Sequence, residues 1–398
     1  MRISTSQIHT NGVIAIQRRQ AELARTQQQL ATGKRILTPA DDPAGAVQGL
    51  KLHQRVGSVE QYERNAAYAV TRLELEEVAL ASLGNALQRA RELALQAANE
   101  MLSDENRQSI ARELREISNA LLDAANARDA SGEHLFGGYR TTAQPFVRGP
   151  DGQVKYVGDG GRREADLSPD RRIAVGDNGL PFMTVPRGNG VFTVTPDGAN
   201  TGTGRVAVAE VMDAAAYGGE SYTIVMTAAD TYEVLDGNGV VVTTGAYAAG
   251  SAIDFGGVRV VLDGAPAAGD SFAVGPAGTV SVFAIVDELA AALEAPTGAP
   301  GARALTSHAV TTAVQNLDQA LGRVLELRTG VGARLNTLEQ WQNANADELL
   351  ELRSSLSEIE DLDYAEAVSR FRLQQVALEA AQAAQVQLAG LSLFNFLR

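Results

Sequence analysis

Apolar side chains recur at seven-residue intervals through the first third of the chain. Ile16, Leu23, Leu30 and Leu37 form one such series, with Gln, Ala and Arg filling most of the positions between them. A polar helix with one narrow apolar stripe is marginal alone and needs partner helices. Gly33, followed by Lys34 and Arg35, predicts its end. Asp42 is a good N-cap and Pro43 a good first residue for the next helix. There Val59, Ala66, Leu73, Leu80, Leu87, Ala94 and Met101 repeat every seven residues. Tyr62, Ala69, Leu83, Ala90 and Ala97 supply a second seam, which Glu76 interrupts. The pattern predicts one long helix in a bundle. Ser103-Asp104-Glu105 starts another helix, with Ile110, Leu114, Ile117 and Leu121 on one face.

The period then changes. Residues 137–280 hold 26 of the 39 glycines and 8 of the 12 prolines. Asp151-Gly152, Asn178-Gly179, Asp197-Gly198, Asp236-Gly237, Asn238-Gly239 and Asp263-Gly264 are tight-turn dipeptides. Between them Tyr222, Ile224 and Met226 share one face of an alternating run, as do Val258, Val260 and Leu262. This predicts an antiparallel β insertion. Helical spacing returns with Val310, Val314, Leu317, Leu321, Val324, Val331, Leu335 and Leu338, then Leu349, Leu352, Leu356 and Ile359. Glu360-Asp361-Leu362-Asp363 shifts the register before Tyr364, Val368, Phe371 and Leu378 resume it. Leu388, Leu391, Leu393, Phe394, Phe396 and Leu397 make the end of the chain apolar. Free termini are normally polar and frayed, so this cluster is expected to dock on something.

These patterns predict an α+β protein: a long antiparallel α-helical bundle or coiled-coil rod made from both termini, with an inserted antiparallel β domain. Terminal helices are expected over 1–40 and 346–398. A helical rod domain with a β-hairpin region is expected over 41–190 and 280–345, and a β domain over 191–279.

Charge adds a directional element. The net charge is −14, which argues against nucleic acid as a partner. Residues 1–40 carry six Lys/Arg against one acid, a net of +5, and residues 341–398 carry four Arg against nine Asp/Glu, a net of −5. Arg18, Arg19 and Arg25 at one end and Glu358, Glu360, Asp361 and Asp363 at the other are the candidate pairing groups. Exposed pairs are each worth about 0–1 kcal/mol, so they would guide packing rather than drive it.

Composition removes several kinds of chemistry. There is no cysteine, hence no disulfide, thiolate nucleophile or Cys-ligated zinc. No run of 18 or more apolar residues is present, so no membrane span is expected. The polar start from Met1 to Gln7 lacks the apolar stretch of a cleavable signal. His9, His53, His134 and His308 do not form a His-Glu-x-x-His pair. No Gly-x-Ser-x-Gly elbow occurs, and the Gly-rich pieces do not open helices as phosphate loops do. Asp236-Gly237-Asn238-Gly239 lacks the closing Glu of a calcium loop and is expected to be a hairpin turn. No enzyme activity, cofactor or metal is expected.

The run from Leu30 to Ala46, containing Gly33-Lys34-Arg35 and Thr38-Pro39-Ala40-Asp41-Asp42-Pro43, resembles the N-terminal signature of the bacterial flagellin family. Ile3-Ser4-Thr5 fits it too. The run from Leu356 to Ala367, with Glu360-Asp361-Leu362-Asp363-Tyr364, resembles the C-terminal signature. Within the family, four features are similar to the hook–filament junction branch rather than to filament flagellin. They are Pro43, the motif from Leu135 to Arg140 leading to Pro145-Phe146 and Tyr156-Val157-Gly158-Asp159, Gly269-Asp270-Ser271-Phe272, and the ending Ser392 to Leu397.

The resemblance implies a structural adaptor exported through the flagellar type III pathway to the extracellular organelle. Its implied partners are hook-associated protein 1, flagellin, copies of itself in a ring or helical stack, and an export chaperone holding the C-terminal segment. The assembly and chaperone surface would then use Ile16, Leu23, Leu30, Leu37, Val368, Phe371, Leu378, Leu388, Leu391, Leu393, Phe394, Phe396 and Leu397. Two alternatives stand beside it: a short filament flagellin, and a ligand-binding β domain displayed on a flagellar scaffold.

Overall fold

A computed structural model describes residues 5–99 and 101–396; the side chains of residues 5, 6, 8, 9 and 388–396 lie outside that description. The chain forms two compact units. Unit 1 comprises Met1–Arg64 and Gln340–Arg398, and unit 2 comprises Asn65–Glu339. The division falls inside two long helices, α2 (Pro43–Ala97) and α7 (Pro300–Glu360).

In unit 1, α1 (Thr5–Thr32) packs beside α8 (Tyr364–Phe396). Gly33 ends α1 at φ +71°, a conformation open to glycine but strained for other residues. Asp42 caps α2, its Oδ1 accepting from Gly45 N at 2.9 Å. Arg55–Glu348 and Arg353–Glu60 tie the first part of α2 to the last part of α7, and the reversed order of the numbers makes the two helices antiparallel.

In unit 2, Arg91–Asp318 and Arg328–Glu77 continue that antiparallel order. The heptad residues Ala66, Leu73, Leu80, Leu87 and Ala94 are buried, as are Ala69, Leu83, Ala90 and Ala97. Ser103 caps α3 (Asp104–Ala125), whose face Ile110, Leu114, Ile117 and Leu121 is buried. α3 packs against α6 (Val282–Glu294), capped by Ser281. Between them come two short hairpins, β1 (Phe146–Arg148) with β2 (Val154–Tyr156) and β3 (Glu164–Ser168) with β4 (Arg171–Ala174). A single-turn helix, α4 (Leu180–Met183), follows. β5 (Val185–Pro186) pairs with β14 (Thr279–Val280) at the root of the β insertion.

The insertion holds β6 (Phe192–Pro196), β7 (Arg205–Val211), the single-turn helix α5 (Ala214–Tyr217), β8 (Tyr222–Ala228) and β9 (Thr231–Asp236). It continues with β10 (Val241–Ala246), β11 (Ala252–Phe255), β12 (Val258–Asp263) and β13 (Ser271–Pro276). A five-stranded sheet runs β10-β9-β8-β13-β6 and a three-stranded one β11-β12-β7, every pairing antiparallel. Phe192, Ile224, Met226, Val234 and Phe272 from the larger sheet share one core with Ile253, Val258, Val260 and Leu262 from the smaller. Alternation sends every second side chain inward, so the two sheets pack face to face. Asp236 Oδ1 accepts from Asn238 N and Val240 N, and Gly239 sits at φ +80°: the Asp236–Gly239 run is a hairpin turn.

Local signals override the sequence spacing at five places. Leu37 lies beyond the helix that Gly33 ends, so it does not continue the Ile16–Leu30 stripe. Met101 lies beyond the end of α2 and is 90% exposed rather than on the seam, because the chain must turn before the Ser103 cap. The Asn178-Gly179 pair is no hairpin turn. Gly179 has φ −83° and opens α4, where a Cβ would collide with the Phe146 and Tyr156 rings. The helical return is split, α6 being a short buried helix separate from α7. Finally, residues 361–363 do not shift a helix register but break it. Asp363 Oδ1 accepts from Ala365 N and Glu366 N, at 2.9 and 3.1 Å, and caps α8 anew.

Candidate assembly surface

On α1, Ile16, Leu23 and Leu30 are half-buried. Thr26 and Gln29, which share their side of the helix, are buried. Sequence reasoning missed both; their only signal was three- and six-residue spacing from Leu23. On α8, Phe371 and Leu378 are half-buried and Val368 is exposed. Leu373, Val376 and Val386 of α8, and Val13 and Ile14 of α1, are exposed as well. Leu388, Leu391, Leu393, Phe394 and Phe396 have only their backbone in the described residues, and Leu397 lies outside them. In the described part of unit 1 the fully buried apolar side chains are Val59, Leu362 and Ala367. Three side chains, one of them alanine, make no core for a unit of this length. The helices of unit 1 present apolar surface that the unit itself does not cover.

Where α1 ends, backbone and side chains clasp the α7–α8 break. Leu362 N donates to Gly33 O at 2.9 Å and Arg35 N to Glu360 O at 2.7 Å. Arg35 also reaches Ile359 O through Nη2 at 2.7 Å, and Gln29 Nε2 donates to Arg35 O at 2.6 Å. Glu360 takes Lys34 Nζ on one oxygen and His53 Nε2 on the other, each at 2.9 Å. α2 can come this close because residue 49 is glycine: a Cβ there would lie 2.9 Å from Glu360 Oε1. Partial burial opposes ionisation of Glu360, but the hydrogen bonds from Lys34 and His53 outweigh it and hold the carboxyl below its ordinary value.

The basic start and acidic end of the chain therefore do meet, through Glu360, one of the expected acids, and Lys34, which is not among the expected cations. Arg19 is held by its neighbour Glu22 and Arg25 by Asp41, while Arg18 is exposed. Of the acids, Glu360 alone takes a cation from the N-terminal segment as an ion pair among the described residues. Asp361 bridges to Lys34 through the backbone and accepts from Ser357, Asp363 caps α8, and Glu358 is exposed. Net charge cannot tell the third turn of a helix from its end; the clasp uses the cations that follow Gly33. Lys34→Glu should loosen the segment 33–42. Its proteolysis should rise several-fold at low ionic strength and much less at high. Equal sensitivity at every salt concentration would assign the clasp to its backbone bonds instead.

Unit 2 contains a buried polar network at the seam position that Glu76 interrupts. Glu76 is 1% exposed. Its Oε1 accepts from Asp177 N at 3.1 Å, and Oε2 has no hydrogen-bond partner among the described residues. Asp177 in turn holds Arg334 of α7 and, at 3.2 Å, Arg162. Arg72, one turn earlier on α2, bonds Asp129 at 2.7 Å and His134 O at 3.2 Å. Burial, then repulsion from Asp177, raises the Glu76 carboxyl to about 7, against the opposing pull of Arg334. His308, on α7 beside a cavity of about 80 Å³ lined by Thr311, Thr312 and Gln315, is lowered to about 4 by burial. Among the described residues no group of three His, Asp or Glu could hold a metal ion.

Comparison with known proteins bears on both helical blocks. Residues 3–141 match the family described as bacterial flagellin N-terminal helical region, and residues 314–397 match bacterial flagellin C-terminal helical region. The chain is 26% identical over 396 residues to the flagellar hook-associated protein 3 of Escherichia coli strain K12, covering 99% of both chains. It is similar to the crystal structure of Xanthomonas campestris FlgL, with TM-score 0.74, 32% identity, and coverage of 77% of this chain and 99% of that one. It is also similar to the flagellar junction protein FlgL of Legionella pneumophila, with TM-score 0.72, 32% identity, and coverage of 79% and 99%.

Proposed function

We infer the role of this chain from its membership of the bacterial flagellin family, on the hook-associated protein 3 branch. It is a structural protein of the hook–filament junction. Its partners are other components of the flagellum. We assign to it the interval between hook-associated protein 1 and the flagellin filament, in an extracellular ring or helical stack of its own copies reached by flagellar export. No catalytic role is assigned.

One observation carries this reading beyond family membership: α1 and α8 leave several apolar side chains exposed and others half-buried, and among its described residues unit 1 fully buries only Val59, Leu362 and Ala367. A helix pair that leaves Val13, Ile14, Leu373, Val376 and Val386 uncovered gains its remaining stability when neighbours cover them. We therefore assign residues 1–40 and 346–398 to the inner contacts of the stack. The helical part, 41–190 and 280–345, would surround them and the β domain, 191–279, would face outward. An export chaperone would cover the same C-terminal apolar stretch before assembly.

Immunogold labelling of intact flagella should give a narrow band where hook meets filament. Label along the whole filament would instead favour a filament flagellin. Absence of label from the organelle would sink the junction reading.

A further inference from the structure

A narrow root joins the β insertion to the helices. β5 and β14 are two residues long each, and Gly188 and Gly190, at φ +57° and +80°, follow β5. Beyond the root the insertion lies along α7. At one end of this contact a Cβ on Gly301 would collide with Asn200 O. About four turns further along α7, Asn316 is 2% exposed and its Oδ1 accepts from Gly188 N at 2.7 Å. Between these two points the packing is incomplete. The cavity of about 80 Å³ lies there, with His308, Thr312 and Gln315 of α7 on one side and Phe192, Val194 and Val206 of β6 and β7 on the other.

His308 is badly placed to carry a charge. Its Nδ1 is buried with no hydrogen-bond partner among the described residues, and its Nε2 lies 3.3 Å from the Thr312 hydroxyl. Of the residues lining the cavity only Arg187 is charged; it is a cation, held by Glu288 of α6 at 2.7 and 3.1 Å. β6 has no charged residue. β7 carries Arg205, paired with Asp263, and Glu210, which acts on Arg259. On α7 itself Arg303 bonds Thr297 O and Asp318 pairs with Arg91. None of these acids lines the cavity. Burial is what lowers the imidazole to about 4, and no neighbouring carboxylate offsets it. A proton added to the docked ring therefore meets no counter-charge.

We propose that His308 is an acid-operated release: protonation of its ring undocks the β domain from α7 and leaves residues 191–279 held by the β5–β14 root. The neutral ring fits the docked state. The imidazolium, unpaired and on the same cavity as Arg187, favours the open state, where water solvates it. Docking is fully present above about pH 6.5 and weakens as pH falls toward 4. With the docked ring at about 4 and the opened ring at its ordinary 6.5, the docking equilibrium drops about thirty-fold between pH 7.5 and 5. The sign is opposite to that of Glu76, whose protonation relieves a buried charge. The device concerns the β domain alone and does not depend on the junction reading.

The chain contains no cysteine, so a single introduced thiol reports without background. Val194→Cys places one in the cavity wall, at a position 6% exposed, and Val260→Cys places one inside the β core, at a position 0% exposed and away from the cavity. Full-length chains with either thiol, with His308 or with His308→Gln, would be labelled by a dipyridyl disulfide, which reacts with thiols in acid. Comparing the two backgrounds at one pH cancels the thiol's own pH dependence. At Val194→Cys the ratio of rates, His308 over His308→Gln, should rise about thirty-fold from pH 7.5 to 5; at Val260→Cys it should stay flat. A flat ratio at Val194→Cys overturns the release, and an equal rise at both sites means that the β domain unfolds rather than undocks. Should His308→Gln not fold, the Val194→Cys rate divided by that of a small free thiol replaces the ratio. Proton NMR of the wild-type chain adds a direct reading: His308 titrating at its ordinary value would also overturn the proposal.

Discussion

Removing residues 379–398 should abolish incorporation of the protein into the flagellum while leaving unit 2 folded. The stretch contains Leu388, Leu391, Leu393, Phe394, Phe396 and Leu397, together with Val386, which α8 leaves exposed. Full burial of a large apolar side chain contributes about 1.5–3 kcal/mol. Six of them at half that amount give about 5 kcal/mol or more, a loss of over a thousandfold in association. Unit 2 has a core of its own, built from the α2, α3, α6 and α7 seams and the two-sheet cluster. The check is immunoblotting of isolated flagella combined with thermal melting of the purified truncated chain. Normal incorporation, or loss of the unit 2 transition, would contradict the division of labour drawn here.

Glu76→Gln should stabilise unit 2 at pH 8 by about 1–3 kcal/mol and change little at pH 5. The sign follows from a carboxyl raised from 4.5 to about 7. Folded protein then holds a proton that the unfolded chain releases above pH 4.5, so stability falls as pH rises through the interval between those values and levels off above it. Above about pH 7 the folded wild-type protein carries a buried charge beside Asp177, on a carboxylate whose Oε2 has no hydrogen-bond partner among the described residues. Glutamine keeps an oxygen to accept from Asp177 N, and its amide can donate where Glu76 Oε2 finds no partner. The melting temperature of wild type should fall relative to that of the variant as pH rises from 5 to 8; His308, lowered to about 4, adds the same rise up to about pH 6.5 to both proteins and cancels in the difference. Parallel pH profiles for the two proteins would mean that Glu76 is not the titrating group.

Much of the architecture was legible because it is written in short-range chemistry. The heptad seam of α2, the Ser103 and Asp42 caps and the Asp236–Gly239 hairpin each depend on residues a few positions apart. The errors have the same origin. Counting by sevens carried the first stripe to Leu37 and the second to Met101, although Gly33 and the Ser103 cap stop those helices first. Glu76 was visible as an interruption, but its meaning was not, since Asp177 lies 101 residues away. The opposite charges of the two ends were visible as totals. Their partners were not, because Lys34 and Glu360 are 326 residues apart and every cation near the start contributes equally to a sum.

Sequence alone therefore determined that the protein has long amphipathic helices at both ends, a two-faced β insertion between them, and family signatures in both helical blocks. Helix periodicity, capping and strand alternation are properties of neighbouring residues, and no other part of the chain can change them much. Tertiary structure decided which of the apolar stripes are covered. The seams of α2 and α7 within unit 2 are buried, whereas α1 and α8 leave Val13, Ile14, Leu373 and Val376 open to water. In sequence those stripes look alike. Only the count of helices standing beside each one distinguishes a finished core from a surface waiting for the next subunit.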